Sequence, residues 1–176
     1  MRQATELMVQ YAAYHRDRRK ITTHMVGIPL IVFAIGVLLS KPGFALGGWT
    51  LTPAWIVWGA AALWYLTRGH LLLGAGVSFA TGVLMLLAQR VPAASTAAWL
   101  MWGLLTFVVG WALQFVGHWY EGRKPAFVDD VVGLLVGPMF VTAELLFAMG
   151  LCKPLAAEIE RRVGPTMLRD LAHPLT

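Results

Sequence analysis

Long apolar stretches alternate with short polar connections along the whole chain. The apolar stretches cover residues 24–41, 53–67, 70–88, 97–117 and 131–152. Lys41 is the only charged residue between Ile21 and Thr67, and the third and fourth stretches contain no Lys, Arg, Asp or Glu. A helix that crosses a bilayer needs about 20 mostly apolar residues. The pattern predicts an all-α, polytopic membrane protein whose first four apolar stretches are spanning helices.

The fifth stretch, 131–152, differs from the other four. It contains Gly137 and Pro138 in its first third and Glu144 further on. Proline removes a backbone donor and clashes with the preceding helical turn. We therefore expect a kinked or re-entrant segment that turns at Gly137 and Pro138, which would return the basic tail to the side of the N-terminus.

Short amphipathic helices are predicted at both ends of the chain. Residues 3–16 place Leu7, Met8 and Tyr11 on one helical face, and the basic sequence RDRRK follows. The charged tail, 153–176, is expected to form a surface helix that then frays. The chain is thus one membrane domain, 1–176, in which 1–20 and 153–176 flank a membrane region at 24–152.

Charge supports this interpretation and orients the chain. Only 13% of the residues are charged, against about a quarter in a soluble domain. Alternating spans put eight Lys and Arg residues on one side and two on the other. The larger set is Arg2, Arg16, Arg18, Arg19, Lys20, Arg68, Arg123 and Lys124, and the smaller set is Lys41 and Arg90. Positive loops face the cytoplasm, which predicts a bacterial inner-membrane protein with a cytoplasmic N-terminus and tail.

The net charge of +5 is consistent with this orientation and with contact to anionic membrane lipid. We therefore expect no nucleic-acid partner. A homo-oligomer is compatible with the sequence, which leaves the number of subunits open.

Four histidines fall at the predicted cytoplasmic end. His15 precedes the first span, His24 begins it, His70 begins the third, and His118 ends the fourth, with Glu121 just beyond. Nine residues separate the first two, so one continuous helix would point them to opposite faces. They can meet only if the chain turns between them, as RDRRK allows. His118 and Glu121 lie three residues apart and share a helical face.

This set of side chains favours a metal site. Neutral imidazole is the commonest metal ligand, and imidazoles with one or two carboxylates suit an Fe(II) that reacts with oxygen, although zinc accepts similar ligands. Simpler interpretations remain: histidines near a membrane surface are often interfacial polar residues, as His173 illustrates, and Asp129 and Asp130 can cap the next helix. Glu144 lies in an apolar stretch, where an ionisable group is costly and usually functional.

Three segments resemble the membrane-bound 2-hydroxy fatty acid dioxygenases of fatty-acid α-oxidation. They are YHRDRRKITTHMVGIPL (14–30), QFVGHWYEGRKPAFVDD (114–130) and LLVGPMF (134–140). The resemblance implies an Fe(II)-dependent enzyme that splits a 2-hydroxy long-chain fatty acid with O₂ and yields the acid one carbon shorter.

The resemblance also implies site residues. His15, His24 and His118 correspond to metal ligands, with Glu121 as a fourth ligand or a group that supports the others. Further motif positions are Gln114, Gly117, Pro125 and Asp129. Where many relatives have Asn-Pro, this chain has Asp17-Arg18, and Thr67-Arg68 replaces a frequent Leu-Asp. The family pattern therefore does not assign His70.

A metal at the membrane surface would meet the head of a lipid while its tail lies between apolar spans. We expect Arg123, Lys124 or Arg68 to hold the substrate carboxylate by charge, and Glu121 to act beside the metal. Two other classes stay open: a haem- or metal-binding electron carrier with two axial histidines, and a non-enzymatic lipid-binding or transport protein.

Overall fold

The computed structural model describes residues 3–91, 94–122 and 132–171. These ranges contain seven helices and one two-stranded hairpin. The elements are α1 (Ala4–Ala12), α2 (Arg18–Leu38), β1 (Phe44–Leu46), β2 (Trp49–Leu51), α3 (Pro53–Leu66), α4 (Leu71–Ala88), α5 (Thr96–Glu121), α6 (Gly133–Ala148) and α7 (Lys153–Val163). The prediction of a helical protein is confirmed. The hairpin was not predicted, although Gly47 and Gly48, both with positive φ, are typical hairpin-turn residues.

Three of the described helices, α2, α4 and α5, are long and apolar enough to cross a membrane. Helix α3 is apolar but has only 14 residues, or about 21 Å at the usual rise per residue, against a hydrocarbon core of about 30 Å. The predicted four spans are therefore not shown. Pro53 opens α3, and the turn at Gly69, where φ is +83°, follows soon after its end.

The fifth apolar stretch bends at a different place from the one predicted. Helix α6 continues through Pro138, and the chain turns by 113° between α6 and α7. Gly150 has a φ of +77°, and the N–H of Leu151 donates to the carbonyl of Leu146 at 2.8 Å, as in a Schellman motif. Pro138 lies in the second turn of α6. The carbonyl that loses its N–H donor is therefore close to the start of the helix, and the rest of the helix keeps its hydrogen bonds.

Helices α2 and α5 pack closely against each other, which brings the polar start of α2 next to the polar end of α5. Gly103, Gly110 and Gly117 recur every seven residues on the face of α5 that meets α2. A Cβ atom at Gly110 would lie 2.9 Å from the carbonyl oxygen of Gly27. Only glycine permits this approach, and it sets α5 antiparallel to α2, with Gly117 beside His24.

The remaining helices enclose this pair from one side. Helix α4 packs on α2 and α3, and α6 packs on α1, α2 and α4. The buried apolar cluster joins α1, α3, α4, α6 and α7, and its most buried members are Met8, Ala12, Leu73, Val77, Met139, Phe140 and Ala143. Helix α1 is thereby fixed against the bundle rather than left free at its surface.

The segment after α7 returns to the turn that precedes α2. The N–H of Met167 donates to the carbonyl of Arg16 at 2.9 Å, and the N–H of Arg18 donates to the carbonyl of Met167 at 3.0 Å. The N–H of Arg169 donates to a carboxylate oxygen of Asp17 at 2.9 Å. The predicted surface helix is α7, but the expectation that the tail then frays is wrong as far as residue 171.

Candidate metal centre

Three histidine rings meet at one end of the α2–α5 pair. The ring centroids of His15 and His24 lie 4.8 Å apart, those of His24 and His118 lie 5.3 Å apart, and those of His15 and His118 lie 6.1 Å apart. His15 lies in the turn after α1, His24 in the second turn of α2, and His118 in the last turn of α5. The chain does turn between His15 and His24, as their spacing requires for the two rings to meet.

The orientation of His15 is set by Tyr11, one helical turn earlier. Nδ1 of His15 donates to the carbonyl oxygen of Tyr11 at 2.7 Å, and the two rings stack with centroids 4.0 Å apart and planes 8° apart. The carbonyl can only accept, so the neutral ring carries its lone pair on Nε2. That atom is buried and has no hydrogen-bond partner within the described ranges.

Burial lowers the pKa of His15 well below its ordinary value. Lys20 and His24 lower this pKa further through their charges, and the hydrogen bond to the Tyr11 carbonyl only partly opposes them. The ring is therefore neutral near pH 7, which is the form that binds a metal.

Glycine also positions the second histidine. A Cβ atom at Gly117 would lie 2.9 Å from Nδ1 of His24, so the absence of a side chain there leaves room for the imidazole. The hydroxyl oxygen of Thr23 lies on the same side, 3.5 Å from this Nδ1, and itself donates to the carbonyl of Lys20 at 2.8 Å. His24 is buried, with 1% of its surface exposed.

Glu121 holds the turn that carries His15. One carboxylate oxygen accepts the N–H of Asp17 at 2.8 Å, and the N–H of Arg16 lies 3.1 Å and 3.2 Å from the two oxygens. The side chain is buried. These contacts give the carboxylate a positioning role, and its role as a metal ligand stays a prediction.

Asp17 anchors the same turn from its other side and caps α2. Its carboxylate accepts the backbone N–H of Arg19 at 2.8 Å and pairs with the Arg19 guanidinium at 2.7 Å. Burial would raise the pKa of Asp17, but hydrogen bonds from Arg19 and from the N–H of Arg169 hold it at about 2. Asp17 replaces the Asn of many relatives, and this change is conservative because Asn and Asp are both strong N-caps. Arg18 replaces the Pro and takes the N1 position that proline often occupies.

An apolar groove leads away from the histidines between α2, α5 and α6. Its volume is about 250 Å³. Its polar head is formed by His24, His118 and Gln114, and Nε2 of Gln114 is buried without a hydrogen-bond partner among the residues that the structure describes. The apolar wall is formed by Ile28, Ile31, Val32, Ile35, Phe107, Trp111, Leu134 and Pro138, with Tyr11 at its side.

Two candidates from the sequence lie outside this cluster. His70 is the N-cap of α4, and its Nδ1 accepts the N–H of Leu73 at 3.3 Å. The backbone carbonyl of Arg68 accepts the N–H of Ala4 at the start of α1 at 2.8 Å, whereas His15 follows the end of α1. Arg68 itself donates to the carbonyl of Trp64 at 3.1 Å.

Glu144 lines a different cavity of about 230 Å³, together with Arg16, Arg18 and Glu160. Arg123, Lys124 and Asp129 lie outside the described residues. Their predicted roles therefore stay predictions.

The separations of the three rings are close to those that a shared divalent metal requires. In the part of the chain that the structure describes, no three His, Cys, Asp or Glu side chains already stand as a complete metal-binding group. Imidazoles on one ion, with metal–nitrogen bonds of about 2.1 Å, have centroids roughly 4.5–5.2 Å apart. The His15–His24 and His24–His118 pairs are close to that range, and the His15–His118 pair is about 1 Å wider. The donor chemistry and the buried lone pair of His15 fit a divalent metal.

Several residues of this site were missed at the sequence level. Lys20 is fully buried, and its ammonium group donates to the carbonyl of Tyr14. Tyr11 was singled out only for its place on an amphipathic face, although a position four residues before His15 was a usable signal. Nothing in the local sequence indicates that Lys20 is buried or that the backbone of Arg169 binds Asp17.

The fold and the site define a class: a helical protein with several long apolar helices, consistent with an integral membrane protein, and a three-histidine cluster at the head of an apolar groove. A family model described as 2-hydroxy-palmitic acid dioxygenase Mpo1-like matches residues 1–149. The 2-hydroxy-palmitic acid dioxygenase MPO1 of Saccharomyces cerevisiae is 31% identical over 154 residues, which cover 85% of this chain and 83% of the yeast protein. The chain belongs to the Mpo1-like dioxygenase family. No solved structure matches it.

Proposed function

We propose that this protein is an Fe(II)-dependent dioxygenase that cleaves a 2-hydroxy long-chain fatty acid with O₂ and yields the fatty acid one carbon shorter. The observation that carries the proposal is the meeting of His15, His24 and His118 at the head of an apolar groove, in a chain of this family. These three side chains would hold the iron. Fe(II), when bound, supplies the electron needed to activate O₂.

The groove accounts for a long apolar substrate. Ile35 lies eleven residues beyond His24 on α2, or about 16 Å along the helix axis, and both residues line the groove. An acyl chain lying against this wall would therefore be held along much of its length, with its carboxylate and 2-hydroxyl group at the histidine end.

Gln114 is the best-placed polar group for the substrate head. Its amide nitrogen is a donor without an acceptor in the described structure, and leaving such a buried donor unpaired costs about 1–3 kcal/mol. A carboxylate or hydroxyl oxygen of the substrate would accept its hydrogen bond. Arg123 and Lys124 directly follow the end of α5 in sequence and remain the proposed charge partners of the carboxylate.

Glu121 and Asp17 act on this reaction through position. Together they bind the backbone of the turn after His15 at the N–H groups of Arg16 and Asp17 and at the start of α2. These hydrogen bonds hold the turn where the His15 ring lies 4.8 Å from the His24 ring and 6.1 Å from the His118 ring, centroid to centroid. Burial lowers the pKa of His15, so protonation of this ring does not compete with metal binding near pH 7.

Oxygen uptake by detergent-purified, Fe(II)-loaded protein tests the proposal. Uptake should follow addition of 2-hydroxypalmitate but not of palmitate, and mass spectrometry should find the 15-carbon acid. His118→Ala should abolish uptake. His70→Asn is the matched control, because it removes a histidine outside the cluster and keeps an N-capping side chain on α4.

Two results would contradict the proposal. One is an absence of uptake from protein shown by elemental analysis to hold its iron. The other is equal uptake by the wild type and His118→Ala. A Soret band in the purified protein would instead favour the haem-binding alternative.

A further inference from the structure

A second cavity lies at the end of the bundle opposite the histidines. Its volume is about 790 Å³, and it is lined by the hairpin, by the connection after α2, and by the ends of α4 and α5. Val37, which lines this cavity, is thirteen residues beyond His24 on α2, or about 20 Å along the helix. The two cavities share no lining residue, so the second is a separate feature.

The two connections at this end, residues 39–52 and 89–95, carry only positive charge. No Asp or Glu occurs anywhere between Asp17 and Glu121, whereas the two connections at this end carry Lys41 and Arg90. Lys41 lines the cavity, and its ammonium nitrogen lies 5.8 Å from the ring centroid of Trp99. Neither of the two connections supplies a carboxylate that could neutralise the charge of Lys41.

Two further hydrogen-bond donors line the same cavity without an acceptor. Thr52 is 1% exposed, and its hydroxyl oxygen has no hydrogen-bond partner among the described residues. The amide nitrogen of Gln89 is likewise buried and unpartnered within those ranges. A hydroxyl, an amide NH₂ and an ammonium group together form a set of donors that a negatively charged oxygen would satisfy.

The rest of the surroundings is apolar. Leu46 and Leu86 line the cavity and are 68% and 48% exposed, and Phe44 on the same hairpin is 60% exposed. Trp55 and Trp99 also line it, and tryptophan is enriched where apolar spans meet the membrane surface. A molecule with an anionic head and apolar chains fits this cavity. The cavity lies at the level where helix ends meet lipid headgroups.

We propose that this cavity binds a phospholipid with an anionic headgroup. Lys41, Thr52 and Gln89 contact the phosphate oxygens, and the acyl chains lie against Leu46 and Leu86. The site is independent of the histidine cluster and of the reaction proposed for it.

The test uses the full-length chain, purified in detergent and stripped of lipid. Native mass spectrometry measures binding of phosphatidylglycerol, with zwitterionic phosphatidylcholine as the comparison lipid. The wild type should prefer phosphatidylglycerol, and Lys41→Gln and Thr52→Val should each weaken that binding at least five-fold. Lys41→Arg, which keeps the charge, should bind as the wild type does.

Arg90→Gln is the matched control. It removes one positive charge from the same end of the chain, but Arg90 does not line the cavity, so binding should be unchanged. Oxygen uptake with 2-hydroxypalmitate should be the same in Lys41→Gln as in the wild type. This separates failure of the lipid site from failure of the proposed reaction.

Three results would overturn the proposal. The first is an equal loss of phosphatidylglycerol from Lys41→Gln and Arg90→Gln, which would indicate general surface charge. The second is equal binding of phosphatidylcholine and phosphatidylglycerol. The third is displacement of phosphatidylglycerol by equimolar palmitate or inorganic phosphate, which would identify a fatty-acid or free-anion site instead.

Discussion

Tyr11 contacts His15 in two ways at once: its carbonyl oxygen accepts the Nδ1 hydrogen at 2.7 Å, and its ring stacks on the imidazole at 4.0 Å. The first contact selects the tautomer, and the second fixes the plane of the ring. Both contacts are made across the turn that follows α1, because Tyr11 lies in the last turn of that helix and the N–H of His15 donates to the carbonyl of Ala12 at 2.9 Å. The conformation of α1 therefore determines where Nε2 of His15 points.

Replacement of the Tyr11 ring should weaken metal binding without removing a ligand. Tyr11→Ala keeps the backbone carbonyl but loses the stacked ring, and we expect iron retention to fall about 10- to 100-fold, as when groups that orient metal ligands are lost. Tyr11→Phe keeps the ring and should retain iron nearly as the wild type does. Iron content after dialysis against a chelator measures this, and equal retention by both variants would contradict the orienting role.

Glu121→Gln should destabilise the protein even when no iron is bound. The carboxylate accepts the N–H groups of Arg16 and Asp17, and charge-assisted hydrogen bonds contribute about 1.5–3 kcal/mol each. We expect the melting temperature of the iron-free protein to fall by roughly 4–8 °C, as for a loss of about 2 kcal/mol. Differential scanning fluorimetry in detergent measures it.

The same variant distinguishes the two roles of Glu121. A residue that only binds the metal would leave the iron-free melting temperature unchanged and would lower it only in the iron-loaded protein. His118→Ala is the comparison, because its side chain belongs to the ring cluster and its loss should act mainly on the loaded form.

Gly117→Ala should displace His24. The added Cβ atom would overlap the hydroxyl oxygen of Thr23 and lie 2.9 Å from Nδ1 of His24, so the Thr23 side chain, the imidazole or α5 must move. We expect lower iron retention and lower oxygen uptake. Gly59→Ala on α3 is the control, because nothing lies within 4 Å of a Cβ atom there, and alanine should stabilise that helix by about 0.5–1 kcal/mol. Wild-type iron retention by Gly117→Ala would show that the close approach is unnecessary.

Ile35→Trp should shift the preferred chain length of the substrate. Ile35 lines the groove about 16 Å from His24 along α2, so a larger side chain would shorten the space for the acyl chain. Oxygen uptake with 2-hydroxy acids of about 8–18 carbons should then favour shorter acids, with little change for the shortest. Ile56→Trp on the exposed face of α3 is the control, and parallel chain-length profiles for the two variants would contradict this role of the groove.

The apolar pattern predicted the helices well because burial and length dominate the energetics of such segments. The third apolar stretch matches α4 within a residue, and the fourth corresponds to α5. Helical spacing required a turn if His15 and His24 were to meet, and the break between α1 and α2 supplies it. Local spacing can decide such questions when the residues concerned are neighbours in sequence.

Contacts between distant segments could not be predicted in the same way. Glu121 was placed beside His118 by its spacing, but its carboxylate reaches backbone N–H groups 104 and 105 residues away. The bend after α6 was assigned to Pro138, whereas Gly150 makes it, because a proline early in a helix disturbs little of the hydrogen-bond ladder. Such outcomes depend on how whole helices pack.

The pairing of the segment after α7 with the turn before α2 has a consequence for the order of folding. Asp17 and Arg169 are 152 residues apart in sequence, so this contact closes one of the longest loops in the chain, and long-range closure comes late in folding. The ribosome makes the turn that carries His15 early, and it makes the segment that pairs with this turn only after α7. A newly made chain therefore holds an incompletely ordered histidine cluster until the helices between them are in place.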